Sequence, residues 1–235
     1  MIAFDVRLHE RIGSTNDEAR RLALEGAASG TVVCADEQTT GRGRQARHWF
    51  SPPGNLYFSL LLRPDVPSAR LPELAFVSAL AVADTADALL PPSIRASLKW
   101  PNDVLVKGAK VAGILLEQVG DALVVGVGLN ILHAPERASY QVTTIAACGG
   151  LATVDGARAI LLDRMARQLQ TWEEDGFAPI RAAWLVRAHP VGAALRVTLE
   201  GRSLSGHFAG LDQDGALLLD MPEGRRRVVA GDVVV

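Results

Sequence analysis

Two spacings of apolar residues alternate along the chain, and each predicts its own kind of element. "TVVCADEQ" is a short β-branched run that predicts a strand ending at Gln38. "NLYFSLLLR" predicts a buried strand closed by Pro64, and "IRASLKW", "DVLV", "KVAGILLEQV" and "ALVVGVGLNIL" predict strands in succession. "VKGAKV", between two of them, has the form of a tight hairpin turn. Helical spacing governs other stretches. In "STNDEARRLALEGAASG", Ser14 and Thr15 are N-cap candidates, with Asp17 and Glu18 at the capping-box distance. Ala19, Leu22, Ala23 and Ala27 then recur on one helical face, with Gly30 as the stop. "LPELAFVSALAVADTADALLPP" is apolar on nearly every side and predicts a long, mostly buried helix. "TVDGARAILLDRMARQLQTWEEDG" predicts a helix capped by Asp155, with Ile160, Leu161, Met165 and Leu169 on its apolar face. "FAPIRAAWLVRA" predicts another.

The texture changes at His189–Pro190. Beyond it, short alternating strands are separated by Glu200–Gly201, Asp214–Gly215 and Glu223–Gly224, the pattern of a small β-barrel. This divides the chain into residues 1–188 and 189–235. Helices set among strand clusters, without regular βαβ alternation, predict an α+β class with a mixed sheet flanked by helices.

Composition narrows the setting. The chain is 49% hydrophobic and 21% charged, ordinary for a soluble globular protein with a core of useful size. No stretch approaches the roughly 18 apolar residues of a membrane span, and the N-terminus lacks the form of a signal peptide. Cys34 and Cys148 make no disulfide framework, which fits a reducing cytoplasm. A formal net charge of −2 argues against a general nucleic-acid binder.

Against that charge, "TGRGRQARHWF" places Arg42, Arg44 and Arg47 among Gly41, Gly43 and Ala46. The stretch asks for an anion. "GRGRQA" formally matches a dinucleotide fingerprint, but Pro52 and Pro53 prevent the helix whose N-terminus would hold the pyrophosphate. No G-x-x-x-x-G-K-[ST] phosphate loop occurs. Trp49, Phe50, Tyr57 and Phe58 could stack on nucleic-acid bases, yet Tyr57 and Phe58 fall in an apolar strand and read as core. A small phosphorylated ligand fits better: guanidinium forks match phosphate, and glycines let the backbone close over it. Such a loop should be loose when empty and order around an anion. A solvated run of surface charge is the plainer alternative.

Further candidates lie downstream. In "LKWPNDVLV", Lys99 can reach a phosphate, while Asn102 and Asp103 can take Mg²⁺, orient a nucleophile, or simply make a turn. Lys110 opens a strand in which Gly113 allows close approach to a ligand.

"STN", "EQTTGRGRQARHWFSPPGNLYFSLLLR", "KWPNDVLVKGAKVAGILLE" and "GVGLNI" together resemble the motifs of biotin protein ligases, the biotin–[acetyl-CoA carboxylase] ligases. The resemblance runs from residue 8 to residue 235 and includes "GLDQDGALLL"; its combination of motifs is specific where any single one is weak. It implies a class II synthetase-like biotin/lipoate ligase fold with an SH3-like C-terminal barrel. It also implies a reaction in which biotin and ATP give biotinyl-5′-AMP and pyrophosphate. A lysine of a biotin carboxyl carrier protein domain, on acetyl-CoA carboxylase or a related enzyme, then takes the biotinyl group. The resemblance puts Ser14, Thr15, Asn16 and Gln38 on biotin, and Gly41, Arg42, Gly43 and Arg44 over carboxyl and phosphate groups. It puts Lys110 on the biotin carboxyl, Trp49, Gly113 and Gly128 beside the adenylate, and Asn130 near the nucleotide. Lys99, Asn102 and Asp103 would serve phosphates and Mg²⁺, with Arg42, Arg44, Lys110 and Asp103 as the catalytic set and Asp103 a candidate acceptor for the proton of the incoming lysine.

Two departures stand out. The family loop usually has Gly where this chain has Ala46, and no repressor-type helix-turn-helix segment precedes the catalytic motifs, so no DNA binding is expected. Edge strands leave a homodimer open. A lipoate or octanoate ligase or transferase, the latter with a Cys nucleophile, is the nearest alternative, and a non-catalytic binding module is the other.

Overall fold

One face of the main sheet is fully covered and the other only in part, and that difference makes room for the site. The structure, a computed structural model, describes residues 2–138, 140–199 and 202–234. Its first sheet comprises β1 (Asp5–Ile12), β2 (Thr31–Gln38), β3 (Leu56–Leu62), β4 (Ala96–Lys99), β5 (Asp103–Val106), β6 (Ala109–Val119) and β7 (Ala122–Leu129). Their order is β1-β2-β3-β7-β6-β5-β4. β1 runs parallel to β2 and every other neighbouring pair is antiparallel. The crossover between β1 and β2 is helix α1 (Thr15–Leu24). The long apolar helix is α2 (Glu73–Leu89), followed by α3 (Val154–Asp175) and α4 (Phe177–Arg187).

Period-2 alternation sends neighbouring residues to opposite faces. Val32, Leu60 and Val125 join the large core with α2, α3 and α4, while Val33, Leu61 and Val124 pack under Ala19, Leu22 and Ala23 of α1. Burial on both faces is why β3 reads as an apolar run interrupted only by Ser59. Tyr57 and Phe58 are core, as expected. Among the described residues no helix is long and apolar enough to cross a membrane.

Several element ends differ from the sequence reading. α1 stops at Leu24, short of Gly30, because Gly26 takes φ +84°. Its N–H reaches Ala23 O at 3.1 Å and that of Ala27 reaches Leu22 O at 2.9 Å, a Schellman closure. Arg63 adds bonds to Ala23 O and Ala27 O. α3 is capped by Thr153, whose hydroxyl accepts from Gly156 N at 3.1 Å, and Asp155 lies inside the first turn. The turn in "VKGAKV" has Lys107 and Gly108 at φ 51° and 80°, as a two-residue hairpin requires. β1 has no counterpart in the sequence reading: it is a half-exposed edge strand with no clean alternation.

The C-terminal strands are β8 (Ala194–Leu199), β9 (Arg202–Leu211), β10 (Leu217–Met221), β11 (Gly224–Val228) and β12 (Asp232–Val234). They form an antiparallel sheet in the order β11-β10-β9-β8-β12. Where the sequence predicts a small β-barrel, the sheet stays open among the described residues, with β11 and β12 as its two edges. β12 is short, and the carbonyls of Gly231 and Val233 bond instead to Arg44 and Lys99 of the first unit. Trp100 Nε1 donates to Gly215 O at 3.1 Å, and Gly215 (φ +86°) lies so close to Phe76 that a Cβ would stand 2.6 Å from the ring. The predicted Glu200–Gly201 turn lies outside the described residues.

Candidate active site

α1 covers only part of its face of the sheet, and beyond its N-terminus the uncovered strands floor a cavity of about 900 Å³. Gly113 of β6 and Gly126 and Gly128 of β7 form that floor. A Cβ at Gly128 would stand 2.5 Å from the Trp49 ring, so glycine is what lets the indole lie on the strand. At Gly126 a Cβ would collide with the Asn16 carboxamide.

One end of the cavity is neutral and polar. Ser14 caps α1, its Oγ accepting from Asp17 N at 3.5 Å. Thr15 donates from N and Oγ1 to Gln38 Oε1 at 2.8 and 3.0 Å, and Gln38 Nε2 donates to Ser51 Oγ at 3.0 Å. Ser59, fully buried, stands 2.6 Å from Asn16 Oδ1 and 2.8 Å from Thr15 Oγ1. The side chains hold one another in fixed orientations, and such ordering lowers the cost of binding a ligand.

Beside it stands the cationic end. The arginine loop folds back on itself: Trp49 N donates to Gly41 O at 2.9 Å and Gly43 N to Arg47 O at 2.7 Å. Gly41 lies at the neck, outside the cavity, where a Cβ would crowd Ser51 Oγ and Trp49 O. Arg42 turns to two carboxylates, with ion pairs of 2.5 Å to Asp17 and 3.2 Å to Glu117. Burial disfavours its charge, but these bonds prevail and leave the Arg42 pKa raised. Arg44 Nη1 donates to Gly231 O, Asn102 Oδ1 and Asp232 Oδ1 at 3.1, 3.3 and 3.4 Å. Arg47 pairs with Asp232 as well.

At the centre, Asp103 separates two ammonium groups, Lys110 at 2.5 Å from Oδ1 and Lys99 at 3.0 Å from Oδ2. Lys110 Nζ also lies 5.3 Å above the rings of Trp49 and Tyr140. Its backbone is held by a neighbouring segment: Lys110 N donates to Gln141 O and Thr143 N to Lys110 O, both at 2.9 Å. Asn130 is buried outside the cavity and donates to Thr143 O at 3.2 Å, so it braces the strand that seats Lys110.

Asn102 and Asp103 do not make a metal cage. Asn102 donates to Ile114 O at 2.6 Å and accepts from Arg44, and both Asp103 oxygens face ammonium groups. Among the described residues no three His, Cys, Asp or Glu side chains are placed to hold an ion.

The structure thus gathers most of the sequence-chosen residues around one cavity. Sequence reasoning missed Tyr140, Asp232 and Glu117, which meet the site through contacts far apart along the chain. Both cysteines are buried. Burial pushes the Cys34 thiol up to about 12, which removes it as a nucleophile.

Comparison with known proteins agrees with this geometry. Residues 8–131 match the biotin/lipoate A/B protein ligase family, and residues 192–235 match the biotin protein ligase C-terminal domain. The chain is 38% identical to a biotin–[acetyl-CoA-carboxylase] ligase of Paracoccus denitrificans, over 95% of this chain and 97% of that protein. It is 36% identical to the same-named ligase of Mycobacterium tuberculosis, over 94% and 85%. Among solved structures it is similar to the Aquifex aeolicus biotin protein ligase in complex with biotin and ATP. That match has a TM-score of 0.86 and 30% identity, covering 98% of this chain and 97% of that one.

Proposed function

The chain belongs to the biotin/lipoate A/B protein ligase family, and from that premise we propose that it is an ATP-dependent biotin–[acetyl-CoA-carboxylase] ligase. The observation that carries the choice within the family is the neutral hydrogen-bonding end formed by Thr15, Asn16 and Gln38, lining one cavity together with a cationic end. Biotin matches both: its ureido ring offers N–H donors and a carbonyl, and its carboxylate reaches the lysines and arginines. The dithiolane of lipoate has no N–H or carbonyl to exchange hydrogen bonds with those amides and hydroxyls, so it would gain nothing from them.

In the first step a biotin carboxylate oxygen attacks the α-phosphorus of ATP. The bond to the β-phosphate breaks and pyrophosphate leaves. Lys110, beside Trp49, contacts the reacting carboxyl; Arg44 and Lys99 meet phosphate oxygens; Gly43 lets the loop backbone come close. Fixed cations aimed at developing charge supply most of the acceleration. In the second step the lysine amine of a carrier domain attacks the acyl carbon of biotinyl-5′-AMP, and AMP leaves. Asp103 spaces Lys99 and Lys110, and with one ammonium on each oxygen it keeps free lone pairs, which makes it the candidate acceptor for the amine's proton. Trp49 and the loop keep water from the mixed anhydride.

Residues 1–188 would form the catalytic unit and residues 189–235 a C-terminal unit that closes one wall with Asp232 and Val233. The acceptor is a biotin carboxyl carrier protein domain, a reading supported by the names of the two ligases above. A cytoplasmic setting is supported by the two buried free thiols. Incubation with biotin, ATP and Mg²⁺ should release pyrophosphate, and lipoate in place of biotin should release at least about tenfold less. Equal release with lipoate overturns the substrate; release with neither overturns the enzyme.

A further inference from the structure

Glu117 lies on β6 two and four residues beyond Leu115 and Gly113, on the face that floors the cavity, but does not itself line it. Its side chain is 20% exposed and meets three partners. Asn16 Nδ2 donates to Oε2 at 2.7 Å, Arg42 Nη2 lies 3.2 Å from both oxygens, and Arg20 Nη1 lies 3.3 Å from Oε1.

Two consequences follow from the chemistry of a carboxylate. An ionised carboxylate only accepts hydrogen bonds, so it forces the Asn16 amide to present its NH₂ to Glu117 and its oxygen to Ser59. The donor and acceptor directions of the neutral pocket are thereby set from behind. Arg42 has Asp17 as its other carboxylate, whose side chain is 49% exposed, and a pair that open to water holds weakly. The less exposed Glu117 is the firmer tether for the root of the loop. Although burial opposes its charge, the bonds from Asn16 and Arg42 leave the Glu117 pKa lowered, so the carboxylate stays an acceptor through the neutral range.

We propose that Glu117 is a positioning residue that couples the two ends of the site, fixing the polarity of the biotin pocket through Asn16 and the seat of the arginine loop through Arg42. This rests on the ligase reading. A neutral, isosteric Glu117→Gln side chain can donate as well as accept, so the Asn16 amide loses its fixed direction and Arg42 its firmer partner.

The test measures biotin Kd by calorimetry without nucleotide, and the fraction of biotinyl-adenylate retained after gel filtration. In Glu117→Gln, both biotin Kd and the rate of adenylate loss should rise about tenfold, with the KM for ATP within about twofold of native. A purely structural role would instead lower Tm and the active fraction while leaving the Kd of the folded protein unchanged. Arg42→Gln added to Glu117→Gln should speed adenylate loss by less than it does alone, because both changes cut the same tether. Arg20→Ala, which takes one half-exposed guanidinium from the same carboxylate, should leave both readings native. Glu117→Asp withdraws the charge by one methylene and should shift both readings about two- to fivefold the same way. Native Kd and retention in Glu117→Gln, or in Glu117→Asp should the first variant not fold, overturn the proposal; so does full additivity with Arg42→Gln. A native chain that binds no biotin overturns the ligase reading itself, and the proposal with it.

Discussion

Gln45 and Ala46, at the tip of the arginine loop, sit at φ 55° and 56°, in the left-handed region that costs a side chain about 1–2 kcal/mol. Glycine at position 46 would relieve that strain but add freedom to the open loop, worth about 0.5–1 kcal/mol the other way. Ala46→Gly should therefore favour the folded loop by about 0.5–1 kcal/mol and slow tryptic cleavage at Arg44 and Arg47 about two- to fivefold. Faster cleavage would contradict it. Cys34 yields a prediction with a definite sign. Its thiol is raised from 9.0 to about 12 in the folded chain, so the associated stability is present below pH 9.0 and is lost as pH climbs toward 12. At pH 8 iodoacetamide should leave Cys34 unlabelled in the native protein and label it in urea; native labelling at the rate of a free thiol would contradict burial. At this scale the sequence was legible where chemistry is local. Arginines among glycines mark the loop as a candidate site by themselves. Glu117 carries no such mark, because its partner Asn16 is 101 positions away, and Asp232 lies 185 positions from Arg47.

Elements were readable in proportion to how regular their burial is. β3 and α2 are buried nearly throughout, and their apolar runs showed it. β1 escaped because an edge strand half open to water needs no apolar face. Helix ends were misplaced where two capping groups competed. At the start of α3, Thr153 and Asp155 are both able caps, and only backbone geometry chooses: Thr153 is extended, with φ −93° and ψ 155°. Thr153→Ala should cost about 1 kcal/mol and lower Tm by about 2–4 °C. Asp155→Ala, with its side chain 82% exposed, should change Tm by no more than about 1 °C. The reverse ranking, read by calorimetry, would contradict the assigned cap.

Across the whole molecule, function depends on two sheets meeting at one cavity. The first supplies the glycine floor, the neutral pocket and the lysines; Gly231, just before β12 of the second, supplies a carbonyl to Arg44, and β12 supplies the Val233 carbonyl to Lys99 and the Asp232 carboxylate that draws Arg44 and Arg47 inward. Strand pattern predicted the run of short C-terminal strands but not their open edge, since a barrel and an open sheet share the same alternation. On the proposed reaction the loop would cover an activated acyl phosphate, with Arg44 at its inner turn. The most direct measurement is the lifetime of biotinyl-5′-AMP on the enzyme, formed from biotin and ATP without an acceptor and followed in the filtrate after rapid gel filtration. The account predicts that native protein retains the compound and that Arg44→Ala releases it at least about tenfold faster. Equal retention by both would contradict a loop that guards the intermediate.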